Sequence, residues 1–477
     1  MRSAVALLAL CPLCLTTPAD DPPFEIGNGA QLFVDDALIQ SMTDLQWTLH
    51  EPELREVGMV FDAPWEGPQM GYATVLRDPG GEFRLCYRGG GDVTTREVAC
   101  LALSDDGIHW RRPELGLIEF EGSTANNIFW TGEWEAYGES HNFSPFLDTN
   151  PHTASSERYR AVALRRGIDE TGERRRMLGV LGSPDGIHWH RLAEEPVIRQ
   201  GGFDSLNVAM WDPNIERYVC YSRVGRNGLR SIQRSTSPDF LAWDPPEPLE
   251  FDPPQMEHYY TNGITLWPRS PGLYLGFPMR FVPERTEIGV DHRIIDGTSD
   301  AVFITSRDGL HWDRTFRTAL IRPGPDPDSW GSAHGNNTPA TGLLETAPGE
   351  ISIYWIENCL DVPQLRRGTF RTDGFVSLRA GAEPGEIITV PLVLTGSRLT
   401  VNLSTSAVGS LRVEIQGLDG SPLAGFALGD CPEIFGDEIE RPVEWSGGGD
   451  ISALNGTPVR LRFVLRDADL YSFTVRH

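Results

Sequence analysis

Ser104-Asp105-Asp106-Gly107-Ile108-His109-Trp110 returns as Ser183-Pro184-Asp185-Gly186-Ile187-His188-Trp189 and as Ser306-Arg307-Asp308-Gly309-Leu310-His311-Trp312. A degenerate copy, Ser237-Pro238-Asp239-Phe240-Leu241-Ala242-Trp243, lies between the second and third. One supersecondary unit has been repeated along this chain. The repeated stretch reads as a turn. Its Asp is suited to accept hydrogen bonds from backbone N–H groups, and its Gly permits positive φ. The Trp is expected to pack against its own repeat, with the turn joining outer strands far from any central axis.

Working outward from each turn, the same order of strands recurs. A polar entry is followed by an apolar strand, a turn, an aromatic-rich strand, a third strand and the repeated turn. The entries are Trp65-Glu66-Gly67, His141-Asn142-Phe143, Phe203-Asp204-Ser205-Leu206-Asn207, Glu257-His258-Tyr259-Tyr260, and a segment from Trp330 to Asn337. Five four-stranded units make a five-bladed β-propeller the economical architecture. Leu32-Phe33-Val34-Asp35-Asp36-Ala37-Leu38-Ile39 is the candidate closing strand of the last blade. After Thr372 the texture becomes strictly alternating, as in Leu399-Thr400-Val401-Asn402-Leu403 and Leu411-Arg412-Val413-Glu414-Ile415. That tail predicts an antiparallel β-sandwich. The expected layout is a leader over 1–19, a propeller over 20–372 and a sandwich accessory domain over 373–477. The fold class is all-β.

Composition agrees with many short strands. The 477 residues include 50 Gly and 36 Pro. The net charge is -26, and all 41 basic residues are Arg. Such an acidic chain is a poor partner for nucleic acid or anionic lipid. Arg2 followed by an apolar run from Ala4 to Leu15 reads as a secretory signal. An exported protein, secreted or periplasmic and without membrane insertion, is expected. Cys86, Cys100, Cys220, Cys359 and Cys431 show no zinc-ligand spacing and read as buried free thiols. Nothing in the chain calls for a second copy, so a monomer is expected.

In a propeller the blade entries converge on one funnel. Glu66, Asp204 and Glu257 are therefore the candidate catalytic carboxylates, because glycosidic bond hydrolysis needs two carboxyl groups flanking the anomeric carbon. Trp65, His141, Asn142, Asn207, His258, Tyr260, Arg280 and His334 are the candidate substrate-binding residues. Arg223 and Arg280 suit anionic groups such as sulfate or uronate, should they reach the funnel.

Several phrases resemble those of exported bacterial proteins labelled glycosyl hydrolase family 32 N-terminal-like. They include Leu32-Phe33-Val34-Asp35-Asp36, Pro64-Trp65-Glu66-Gly67, Phe203-Asp204-Ser205-Leu206-Asn207, Gly276-Phe277-Pro278-Met279-Arg280-Phe281 and Arg371-Thr372-Asp373-Gly374-Phe375-Val376-Ser377. The wider group is the five-bladed arabinanase/levansucrase/invertase-like superfamily. That resemblance implies a nucleophile or base Asp, a stabilising Asp and a general-acid Glu drawn from neighbouring blade entries. Here Asp204 would be base or nucleophile, Glu257 the general acid with a pKa raised by burial, and Glu66 the stabiliser or sugar-hydroxyl ligand. Glu66 stands where the pattern has Asp. No cofactor is required; some members of the superfamily hold a structural Ca2+ near a histidine, and His334 is its candidate neighbour. A tripeptide like Arg77-Asp78-Pro79 lines substrate sites in some of these enzymes, but here it falls in a β-turn. The expected activity is a secreted glycoside hydrolase on a plant or algal poly- or oligosaccharide. The alternatives are a non-catalytic glycan-binding propeller, a sialidase-like enzyme, for which no convincing Arg trio is visible, and a phosphorylase.

Overall fold

The computed structural model describes residues 22–90, 96–132, 138–169, 171–285, 297–330, 335–359 and 361–477. The leader over 1–19 and His334 lie outside these residues. The chain divides into two compact units, one of residues 49–372 and one joining the segment up to Thr48 with residues 373–477. Among the described residues no helix is long and apolar enough to cross a membrane.

The larger unit is all-β and is built of small sheets that follow one another along the chain. The first comprises Gly71–Arg77, Phe83–Gly89, Val98–Ser104 and Ile128–Trp130. The second comprises Ser144–Leu147, Tyr159–Ile168, Arg174–Ser183 and His190–Arg191. The third comprises Val208–Asp212, Arg217–Arg226, Leu229–Ser237 and Glu247–Pro248. Sequence explains the texture. Val98–Ser104 is buried at every position, because apolar layers cover both of its faces. Tyr159–Ile168 is buried for its first six residues and alternates only at its end, where Arg166 and Ile168 are exposed.

The fourth repeat departs from the expected four strands. It forms a three-stranded sheet of His258–Tyr259, Met279–Val282 and Thr298–Ala301, and a five-stranded sheet that includes Tyr274–Gly276 and Ile304–Ser306. The split falls at Pro278, which has no N–H to continue a ladder between Gly276 and Met279. The last sheet corrects the expected closure. Its Gln364–Arg371 strand pairs antiparallel with Glu53–Val60, so the chain's two ends close this unit through residues 53–60. Leu32–Ile39 does not. Residues 34–38 are bends and turns. Phe33 packs in the other unit, 6.1 Å from the ring of Phe463 and 5.8 Å from that of Phe473.

The smaller unit is one linked network of ten strands around a single apolar core. Two 19-residue strands, Arg398–Gln416 and Pro458–Arg476, pair along their length with a break in register. They carry partners from both the tail and the segment before Thr48, so residues 22–48 belong here rather than with the larger unit. The five cysteines of the described residues are all buried and free. Burial pushes the Cys86 thiol up to about 12.

The repeated turns fold as their chemistry dictates. In each copy the Ser Oγ accepts the N–H three residues on at 2.9 Å. The Asp Oδ1 accepts the next two N–H groups at 2.8–2.9 Å. Gly107, Gly186 and Gly309 have φ of +72°, +73° and +73°, and Phe240 keeps +71° at the degenerate copy. Their role, however, extends beyond their own sheet. Tyr354 of the last sheet donates to the Gly107 carbonyl at 2.5 Å. Arg84 of the first donates to Asp185 O at 2.5 Å, and Arg234 of the third to Asp308 O at 2.8 Å. The Trp side chains follow, with Trp110 5.9 Å from Tyr354 and Trp312 6.1 Å from Tyr221 of the preceding sheet. Each turn is thus a clasp between neighbouring sheets. A Cβ at Gly309 would collide with Tyr221 Oη and lie 2.9 Å from the Tyr274 ring. Gly309→Ala is expected to cost about 1–3 kcal/mol from overpacking, read as a lowered Tm.

Candidate active site

Phe203-Asp204-Ser205 precedes the strand Val208–Asp212 and is pinned from three directions. Asn142 Nδ2 donates to the carbonyls of Phe203 at 2.5 Å and Ser205 at 2.8 Å. Asn207 Nδ2 donates to the same pair at 3.0 and 2.9 Å. Ser205 Oγ donates to Tyr260 O at 2.5 Å. Phe203 is buried. The backbone is therefore fixed on both sides of Asp204. Asn142 and Asn207, expected to touch substrate, spend their amides on holding this loop.

Asp204 Oδ1 lies 2.8 Å from His141 Nε2, and Oδ2 lies 2.5 Å from Arg176 Nη1. His141 sits in the short turn Glu139–Asn142 and is buried. Its Nδ1 lies 2.7 Å from Glu97 Oε1 and 3.1 Å from Arg88 Nη1. The imidazole is thus held between two carboxylates, a setting in which each ring nitrogen has an acceptor for a proton. Tyr72 packs edge-on to the ring at 5.6 Å, and Arg88 lies over the Tyr72 face at 4.8 Å. Tyr72 adopts φ +51°, an uncommon conformation for an aromatic residue. Burial works to raise the Asp204 pKa. The hydrogen bond and charge of His141, with Arg176 and Arg223, outweigh it and hold the carboxyl well below the usual range.

Asp204 opens onto a cleft of about 630 Å³. Its wall carries Arg174, Arg175, Arg176, Arg199 and Arg223 against Asp169 and Asp204. Arg223 also lies over the Tyr260 ring at 4.9 Å.

The three predicted carboxylates sit in different surroundings. Glu66 is fully buried. It accepts from Tyr87 Oη at 2.5 Å, from Arg112 Nε and Nη2 at 2.8 and 2.7 Å, and from Ala63 N at 2.9 Å. Desolvated and saturated with donors, it is a folding residue. Trp65 likewise donates to Asn127 at 2.7 Å and packs on Phe120. Glu257 lines a second cleft, of about 700 Å³, together with Arg280 and Asp300. There Glu257 is held by buried Arg314. Arg280 holds Asp300 through two hydrogen bonds of 2.8 and 2.5 Å. Each of these carboxylates is thus bound to an arginine, which stays protonated. Asp204 has a histidine. His258 accepts the Arg230 N–H at 3.0 Å on its Nδ1. Asp78 caps its own turn through Gly80 N at 2.8 Å and receives Tyr159 Oη from the second sheet. Among the described residues no group of three or more His, Cys, Asp or Glu is arranged to hold a metal ion.

The entries at 141–142 and 203–207, singled out from sequence, meet around Asp204. Tyr72, Arg88, Glu97 and Arg176 were not singled out. The run Arg174-Arg175-Arg176 opposite Arg165-Arg166 was the signal for the cationic wall.

No family model matches the chain, and no curated protein matches it in sequence. Among solved structures it is similar to an N-acetylgalactosamine deacetylase from F. plautii in complex with blood group B trisaccharide, at 14% identity over 68% of this chain and 94% of that one, with a TM-score of 0.44. The Bombyx mori GH32 beta-fructofuranosidase BmSUC1 gives 10% identity over 88% and 94%, with a TM-score of 0.43. An alpha-L-arabinofuranosidase, arb93a from Fusarium graminearum, gives 11% over 68% and 98%, with a TM-score of 0.41.

Proposed function

We propose that the chain is an exported glycoside hydrolase on a five-bladed propeller, with Asp204 as its reacting carboxylate. One observation carries this reading: Asp204 stands in an open cleft, fixed by its loop and bonded to a histidine that is itself backed by Glu97. A carboxyl held far below neutral pH is a poor proton acceptor but is always charged. Asp204 is therefore suited to attack the anomeric carbon or to stabilise the positive charge that develops there. His141 is the positioning residue. It fixes Oδ1 through Nε2 while its Nδ1 rests on Glu97.

The test is reducing-end release from a panel of plant and algal polysaccharides and oligosaccharides. Well-folded protein that releases nothing from any of them would overturn the proposal. A second measurement reads His141. Replacing it with Ala removes the hydrogen bond and the charge of His141, the largest influences lowering the Asp204 pKa, and leaves Arg176 and Arg223 alone against burial, which raises it. Fewer molecules then carry ionised Asp204 at low pH, so the acid limb of kcat/KM is expected to move to higher pH. A limb that stays in place would separate His141 from the ionisation of Asp204.

A further inference from the structure

Among the described residues, Arg174, Arg199 and Arg223 have no carboxylate within ion-pair distance, and all three line the Asp204 cleft. Arg175 is balanced by Asp169 at 3.0 Å and Glu173 at 2.5 Å, and Arg176 by Asp204. In a chain of net charge -26, this wall thus carries three arginines outside ion-pair distance of any described carboxylate. Unpaired positive charge in a cleft focuses the field and draws anions from solution. Arg223 adds a built element. Its guanidinium is oriented by stacking on Tyr260 at 4.9 Å, and its buried Nη1 has no hydrogen-bond partner. A buried donor left unmet is costly, and it is met when an anion arrives. Arginine is also the side chain whose planar fork matches a carboxylate or a sulfate through two parallel bonds.

We propose that this cleft selects sugars bearing an anionic group, a carboxylate or a sulfate, with Arg223 as the specificity-determining residue and Arg174 and Arg199 as the flanking cations. The inference rests on the glycoside hydrolase reading above and names its substrate class. Asp204 and the arginines occupy the same cleft, so the charged sugar would be held beside the reacting carboxylate.

The experiment is calorimetric titration of the full chain with trigalacturonate, a sulfated galactose trisaccharide, neutral galactotriose and sodium phosphate alone. Both anionic sugars are expected to bind at least about tenfold tighter than galactotriose. Arg223→Gln is expected to erase about tenfold to a hundredfold of that affinity, so that the preference for anionic sugars over galactotriose collapses. Arg199→Gln, at an exposed position, gives a smaller loss in the same direction and serves if the Arg223 variant does not fold. Equal binding of neutral and anionic sugars, or anionic binding indifferent to both substitutions, would overturn the inference. So would phosphate alone binding as tightly as the anionic sugars, because that outcome assigns the wall to a free anion. Hydrolysis of neutral sugars with no anion preference would remove this inference and leave the hydrolase reading. Arg223-dependent sugar-anion binding without hydrolysis would do the reverse.

Discussion

Replacing Asp204 with Asn is expected to lower reducing-end release by about a thousandfold or more, with the fold intact. The amide keeps the shape of the carboxylate and can still accept from His141 Nε2 through its Oδ1. It loses the charge that would face an oxocarbenium-like transition state, and removing one preorganised group that meets a developing transition-state charge, an oxyanion-hole donor, costs about 10²–10³ in rate. Loss of a nucleophile would add to that. Stability should fall modestly, because the bond to buried His141 loses its charge assistance. The Arg176 partner is 40% exposed, and exposed pairs contribute about 0–1 kcal/mol. Glu257→Gln is the control. It disturbs an ion pair with an arginine only 1% exposed, so it should lower Tm while folded protein keeps most of its turnover. If the two variants exchanged these outcomes, the reacting centre would lie in the Glu257 and Asp300 cleft instead.

The difference between the two carboxylates shows how far sequence reaches. Both were found by the same logic, as acids at the start of a repeat, and in that respect Asp204 and Glu257 were indistinguishable. Their fates depend on partners far away in sequence. Asp204 meets a histidine 63 residues earlier, whereas Glu257 meets an arginine 57 residues later. No spacing rule encodes either contact. The repeated turn was legible because its chemistry is local: Ser, Asp and Gly satisfy one another within four residues. Its clasp on the neighbouring sheet was not, because Tyr354 reaches Gly107 across 247 residues. The closing strand was missed for a related reason. Leu32–Ile39 is the more apolar segment, yet Glu53–Val60 pairs with the last sheet, and only one of its eight residues is buried. An edge strand facing solvent carries little apolar signal. The split of the fourth repeat, by contrast, was written at Pro278.

Glu66 is where mistaking a folding residue for a catalytic one would show most clearly in experiment. Glu66→Ala is expected to cost about 3–5 kcal/mol, because it strips a buried ion pair of one partner. Four hydrogen-bond donors lose their acceptor at once: the Tyr87 hydroxyl, two nitrogens of Arg112 and the Ala63 N–H. The Glu66 carboxylate also holds Arg112 firmly in its protonated form. The guanidinium left behind is 29% exposed, so it recovers some hydration, and the loss should fall at the lower end of that range. Arg112→Ala should be worse, since it leaves a carboxylate of 0% exposure without its counterion. Replacing both, with Leu for Glu66 and Met for Arg112, should be milder than Arg112→Ala alone, because an apolar pair of similar volume carries no desolvation cost. The order of the three Tm values measures the pair, and turnover per folded molecule tests its role. A transition-state stabiliser would lose turnover in proportion to its charge. For a folding residue, the Tm falls by on the order of 10 °C while kcat per folded molecule stays within about twofold of the parent. A hundredfold fall in kcat at unchanged Tm would return Glu66 to the active site.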